Sequence, residues 1–176
     1  MPESALLIID MQVALTAGAW RIEHVVNAIA GLQRRAREAS AAVVFLQHNH
    51  MTFVPMKPGA EGWAIHPRLA PQVGDLVVPK TASDGFMDTT LQSDLDRLGV
   101  RRLVITGMQT EFCVDATCRA ALSRGFEVVL AADAHTTSDA VTPAETTIRH
   151  HNYALGNLAH PDRSIEVIAS AEIGFS

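Results

Sequence analysis

The segment Ala5-Leu-Leu-Ile-Ile9 is apolar at every position, so a strand built from it has no face to give to water. Ala42-Val-Val-Phe-Leu-Gln47 repeats the pattern, as does the Leu103-Val-Ile core of Arg102–Thr106. Three further runs, Asp75–Val78, Phe126–Ala131 and Ser164–Ile168, complete a set of six. Helical periodicity lies between them. Ile22 to Ala39 carries Val25, Val26, Ile29 and Leu32 on one side. Leu91 to Leu98 ends at Gly99, a stretch from about Cys113 to Arg124 ends at Gly125, and Ala144 to Leu155 follows. Glycine just past a helical run is a stop signal, because it accepts the left-handed conformation. Strands without a polar face, alternating with helices, call for an α/β domain whose parallel sheet is covered on both sides.

A chain of 176 residues with 48% hydrophobic and 19% charged residues can bury such a sheet in one domain, taken as residues 1–176, without disulfides or metal. Apolar runs fall far short of the roughly 18 residues of a membrane span, so no membrane partner is expected. A net charge of −5 without a basic block argues against nucleic acid. The start, Met1-Pro-Glu-Ser, lacks the basic region of a signal peptide. Cys113 and Cys118 are too close in sequence to staple a fold and suggest a reducing, cytoplasmic location. Residues 48 to 74 hold Pro55, Pro58, Gly59, Gly62, Pro67 and Pro71, and form a loop too long for a connector.

In sheets of this kind the site lies at the carboxyl ends of the strands. Reading along those ends gives Asp10, Gln47, Lys80, the segment from Gly107 to Cys113, and then Asp133 and His135. Cys113 sits at a strand-to-helix turn, where N–H groups and the helix dipole favour a thiolate. A carboxylate to take the thiol proton, an ammonium to hold the anion and a thiol to attack would together serve nucleophilic catalysis. Cys118, about 140° further round a helix, reads as packing. The turn after Ile9 is Asp10-Met-Gln, with no glycine-rich phosphate loop, which argues against a nucleotide- or flavin-binding protein.

Four segments, Leu7–Gln12, Lys80–Phe86, Thr106–Val114 and Ala132–Thr136, resemble the isochorismatase-like cysteine hydrolases, the group of nicotinamidases and N-carbamoyl amidohydrolases. The most specific is Gly107-x-x-Thr110-x-x-Cys113-Val114. The resemblance implies a doubly wound three-layer domain with a six-stranded, mainly parallel sheet in the order 3-2-1-4-5-6. It implies Asp10 as base, Lys80 as cationic partner and Cys113 as nucleophile. It also implies a cis peptide between Met108 and Gln109 that aims the Gln109 and Cys113 N–H groups at an oxyanion. The reaction expected is cleavage of a carbon–nitrogen bond in a small amide-like molecule through a thioester, in a homodimer or larger homo-oligomer. Rival readings are a vinyl-ether hydrolase, whose relatives lack the cysteine, and an idle binding protein on the same scaffold.

Gln12, Gln47, Trp63 and Phe86 are the candidate substrate contacts, the aromatics because irregular segments near strand ends can sandwich a flat molecule. His48, His50 and His66 raise the question of a metal, since imidazoles suit zinc. Metal-binding nicotinamidases have an aspartate where His48 stands, and Trp63-x-x-His66 keeps only part of their pattern. No metal or other cofactor is expected.

Overall fold

The computed structural model describes residues 3–175; Met1, Pro2 and Ser176, on which the reading of the chain's start and the expected domain ends rest, lie outside it. Six strands form one sheet: β1 (Ser4–Ile9), β2 (Ala42–His48), β3 (Leu76–Lys80), β4 (Arg102–Met108), β5 (Glu127–Thr136) and β6 (Ile165–Ile168). Their order is β3-β2-β1-β4-β5-β6. Every paired neighbour is parallel, so the sheet is more uniform than the mainly parallel one expected.

β1 lies at the centre and all six of its residues are buried. Successive side chains of a strand point to opposite faces. Leu6 and Ile8, with Val43, Phe45, Val104 and Val129, meet Val25, Val26, Ile29 and Leu32 of helix α2 (Ile22–Glu38). Ala5, Leu7 and Ile9 turn the other way, with Val44, Leu46, Leu103 and Ile105. They meet helices α3 (Leu91–Leu98), α4 (Asp115–Ser123) and α5 (Ala144–Gly156) through Leu91, Leu95, Cys118, Ala121 and Leu155. Each fully buried Leu or Ile contributes roughly 1.5–3 kcal/mol, which is why β1 carries no polar residue after Ser4. The helical turn α1 (Val13–Thr16) follows β1 directly. No helix among the described residues is long and apolar enough to cross a membrane.

Several boundaries differ from the sequence reading. Lys80 is the last residue of β3 rather than beyond it, paired in register with His48 of β2. β4 runs on to Met108. Between the pairs Ile105–Leu130 and Gly107–His135 the chain advances two residues on β4 and five on β5. This bulge keeps Asp133 and His135 within β5 instead of at its end. The segment 48 to 74 is not a bare loop: it contains three single 3-10 turns, Val54–Met56, Glu61–Trp63 and Pro67–Leu69.

Candidate active site

β1 ends in a tight turn at Asp10, whose φ of +50° is left-handed, a region aspartate tolerates better than most residues. The Asp10 N–H donates to the Leu46 carbonyl at 3.0 Å, tying the turn to β2. On the other side, Gly107 has φ +114° and its backbone lies against Ile9, where a Cβ would collide with the Ile9 main chain. β1 and β4 therefore deliver Asp10 and the segment after Met108 side by side. The Met108–Gln109 peptide bond is cis, at the position the resemblance implies. A π-helical turn, Thr110–Val114, follows and carries Cys113, and α4 starts only at Asp115.

These elements bring Asp10, Lys80 and Cys113 together. The Lys80 ammonium lies 2.7 Å from Asp10 Oδ2 and 3.2 Å from Cys113 Sγ. It also lies 3.0 Å from the Ala82 carbonyl and 3.2 Å from His48 Nδ1. Both charged partners are buried, Asp10 at 1% and Lys80 at 2% exposure. Ionised side chains are that buried only when paired. Asp10 Oδ1 is buried with no hydrogen-bond partner, so this carboxylate retains acceptor capacity. Burial pushes the Asp10 pKa up, opposed by the Lys80 charge and by hydrogen bonds from Cys113 and Lys80.

The sulfur corrects one expectation. Cys113 lies within a π-helical turn rather than at the start of α4, and burial together with the Asp10 charge pushes its thiol up to about 12, with Lys80 only partly offsetting them. The sulfur therefore sits beside the Lys80 and Asp10 side chains rather than at the N-terminus of a regular helix. Cys118 is fully buried in the core, as packing requires.

The three histidines that raise the question of a metal do not share one donor group among the described residues, although the His48 and His50 rings are neighbours with centroids 5.8 Å apart. His50 Nδ1 accepts from the Thr52 and Phe53 N–H groups, and His66 Nδ1 from Arg68 N–H, each closing its own turn. The metal-type donor group found among the described residues is instead Asp10, His48 and Cys113, with donor atoms within 4.8 Å of one another. The Lys80 ammonium already contacts all three residues. Because an ammonium only donates, His48 Nδ1 is the acceptor of the neutral ring and the proton resides on Nε2. Burial, with the Lys80 charge, pulls the His48 pKa down to about 4, which keeps the ring neutral.

The expected substrate contacts fare differently. Gln12 is fully buried, and its amide donates to the His48 and Trp63 carbonyls (3.1 and 2.8 Å) and accepts from His48 N–H (2.8 Å). Gln47 donates to the same Trp63 carbonyl at 3.0 Å. These amides fasten the segment 48 to 74 to the sheet; Gln12 has no free group for a substrate. Phe86 is 6% exposed, stacks on Phe126 at 5.9 Å and lies under the Arg124 guanidinium, so it belongs to the core. Trp63 is partly exposed, with its indole N–H held by Asn49 at 2.8 Å. Asp133 faces away from the site and accepts from the Ser170 N–H and hydroxyl. A cavity of about 450 Å³ lies beside the nucleophile turn, lined by Glu111, Phe112, Val141, Thr142, His150 and His151 among others. No periodicity in the sequence marks this cavity.

Comparison with known proteins gives one consistent result. A family model described as an isochorismatase domain matches residues 4–172. A streptothricin hydrolase of Streptomyces noursei is 39% identical over 164 residues, covering 87% of this chain and 59% of the relative. A second streptothricin hydrolase from the same organism is 38% identical, and the chain spans 66% of it. The ureidoacrylate amidohydrolase RutB of Variovorax paradoxus is 33% identical, covering 75% of this chain and 68% of the relative. Among solved structures, a putative isochorismatase hydrolase from Oleispira antarctica superposes with a TM-score of 0.84 at 30% identity, over 97% of this chain and 95% of that one.

Proposed function

The chain belongs to the isochorismatase family, and from that premise we propose that it hydrolyses a carbon–nitrogen bond of a small amide-like molecule through a thioester on Cys113. The observation that carries this reading is the buried Lys80 ammonium, which bridges Asp10 Oδ2 and Cys113 Sγ. A relative named an amidohydrolase points to the same bond type.

In the first half-reaction Asp10 takes the Cys113 proton as the sulfur adds to the carbonyl carbon. The carbonyl π electrons move to oxygen, which is held by the N–H groups of Gln109 and Cys113. Collapse breaks the carbon–nitrogen bond, and Asp10 returns the proton to the departing amine. In the second half-reaction Asp10 takes a proton from water as its oxygen adds to the thioester carbon. The carbon–sulfur bond breaks and the proton goes back to the sulfur, leaving a carboxylic acid and an amine. A thiol held at about 12 and a carboxyl raised by burial suit this cycle. Proton transfer then accompanies attack instead of preceding it, and Asp10 can hold the proton midway. His48 and Ala82 hold Lys80 in place, and no step requires a metal or cofactor.

The same reading takes residues 1–176 as one cytoplasmic domain acting as a homodimer or larger homo-oligomer. Phe112, 55% exposed next to the nucleophile, is an apolar surface that a second subunit would cover. The test is acid-quenched mass spectrometry during turnover of a panel of carboxamides, N-carbamoyl compounds and cyclic amides. An acyl adduct on Cys113 is expected with a productive compound. Wild-type turnover by Cys113→Ala would overturn the proposal.

A further inference from the structure

Two of the segments that carry the family resemblance meet in the fold through side chains that the proton-transfer cycle does not use. Thr110 Oγ1 and His135 Nδ1 are 2.9 Å apart, and both residues are buried, at 0% and 1% exposure. His135 Nε2 lies 2.8 Å from Asn152 Oδ1 on α5. The Asn152 amide nitrogen donates to the Ala132 carbonyl at 3.1 Å.

The contacts have one direction. With its nitrogen committed to Ala132, Asn152 presents an oxygen that can only accept, so His135 Nε2 carries the proton. The neutral ring then has its lone pair on Nδ1, and the Thr110 hydroxyl donates to it. Burial holds His135 neutral, with its pKa pulled down to about 4. Two residues further along, just past the last residue of β5, Thr137 Oγ1 donates to Glu111 Oε1 at 2.9 Å. The end of β5 thus grips two consecutive residues, three and two positions before Cys113.

We infer that His135 is a positioning residue, which through Thr110 fixes the π-helical turn so that Cys113 Sγ stays within reach of Lys80 and Asp10. This role rests on the reading of Cys113 as nucleophile. The turn has no regular α-helical ladder of its own, so its placement depends on side-chain anchors of this kind. Misplacement of a reacting atom by about 1 Å can cost two orders of magnitude in rate, so a single anchor is enough to matter.

The two cysteines supply a paired readout within one chain. Cys118 is fully buried and is alkylated only when the fold opens, whereas Cys113 is partly exposed. Wild type, Thr110→Val and Thr110→Ser are labelled with iodoacetamide near neutral pH, and each cysteine is followed by peptide mass spectrometry. In Thr110→Val, Cys113 should label about tenfold more slowly while Cys118 is unchanged, and Thr110→Ser should return to within about twofold of wild type. Wild-type labelling of Cys113 in Thr110→Val, or equal slowing in both variants, would overturn the role. Should Thr110→Val open the fold, nitrogen-15 NMR of wild-type His135 decides: an Nε2–H ring is expected, and an Nδ1–H ring is incompatible with the directed contacts. Indifference of Cys113 labelling to Asp10→Asn would remove the nucleophile reading itself, and the positioning role with it, whatever the tautomer.

Discussion

Lys80 has three N–H bonds to give and four acceptors within 3.2 Å, namely Asp10, Ala82, His48 and Cys113. A buried ion pair contributes little net stability, yet removing one member leaves the other stranded. Lys80→Met should therefore destabilise the protein by about 3–5 kcal/mol in urea unfolding, because Asp10 keeps its burial and loses its counter-ion. The double variant Asp10→Asn/Lys80→Met, with no stranded charge, should recover part of that loss. Both should lose turnover by about a thousandfold. A single Met variant as stable as wild type would show that Asp10 does not depend on Lys80. Asp10, Lys80 and Cys113 were legible in sequence because each lies at or past the end of an apolar strand, and the resemblance picked them out from a strand-end list that also held Gln47, Asp133 and His135. The tautomer of His48 and the spent amide of Gln12 were not legible. The first depends on the Lys80 ammonium and the second on backbone carbonyls, all brought in from residues dozens of positions away.

The junction of β1 with β4 sets where the site's two halves meet, and Gly107 sets how close they come. Its φ of +114° and the Ile9 backbone beside it leave no room for a Cβ. Gly107→Ala should lower stability by about 2–4 kcal/mol in thermal or urea unfolding, since both backbone strain and a main-chain collision oppose it. A melting temperature equal to wild type would mean that β1 and β4 can part without cost. Helix limits were largely visible: Ile22 and Leu91 start where they were placed, and Gly99 adopts the left-handed stop. The C-terminal half of β5 was missed, because Asp133 and His135 looked too polar for a strand. The bulge gives those side chains partners in Ser170, Thr110 and Asn152, and that compensation is tertiary. Phe86 misled for the converse reason: an aromatic on an irregular segment looks like a pocket wall until Phe126 is found stacked on it.

At the scale of the molecule, strands apolar on both faces left a covered parallel sheet as the workable arrangement, and that logic carried the fold class; the order of the strands came through the resemblance. Residue patterns do not report what a closed fold does to titrating groups in its interior. His135, 1% exposed, has its pKa pulled from the ordinary 6.5 to about 4, mainly by burial. The unfolded chain thus takes up a proton as pH falls through about 6.5, while the folded protein resists until about 4. Stability from this group is complete above pH 6.5 and is lost on acidification across that window, by about 3 kcal/mol in total. Half-buried His48 acts in the same direction, weakened by solvent screening. Asp10 acts in the opposite direction, because a raised carboxyl favours the folded state as it gains its proton. The contribution of His135 is isolated by comparison with His135→Gln, which has no titrating ring. From pH 7 to pH 4 the wild type should lose about 3 kcal/mol relative to that variant in urea unfolding, while a constant difference would mean that the folded protein protonates His135 as readily as the open chain.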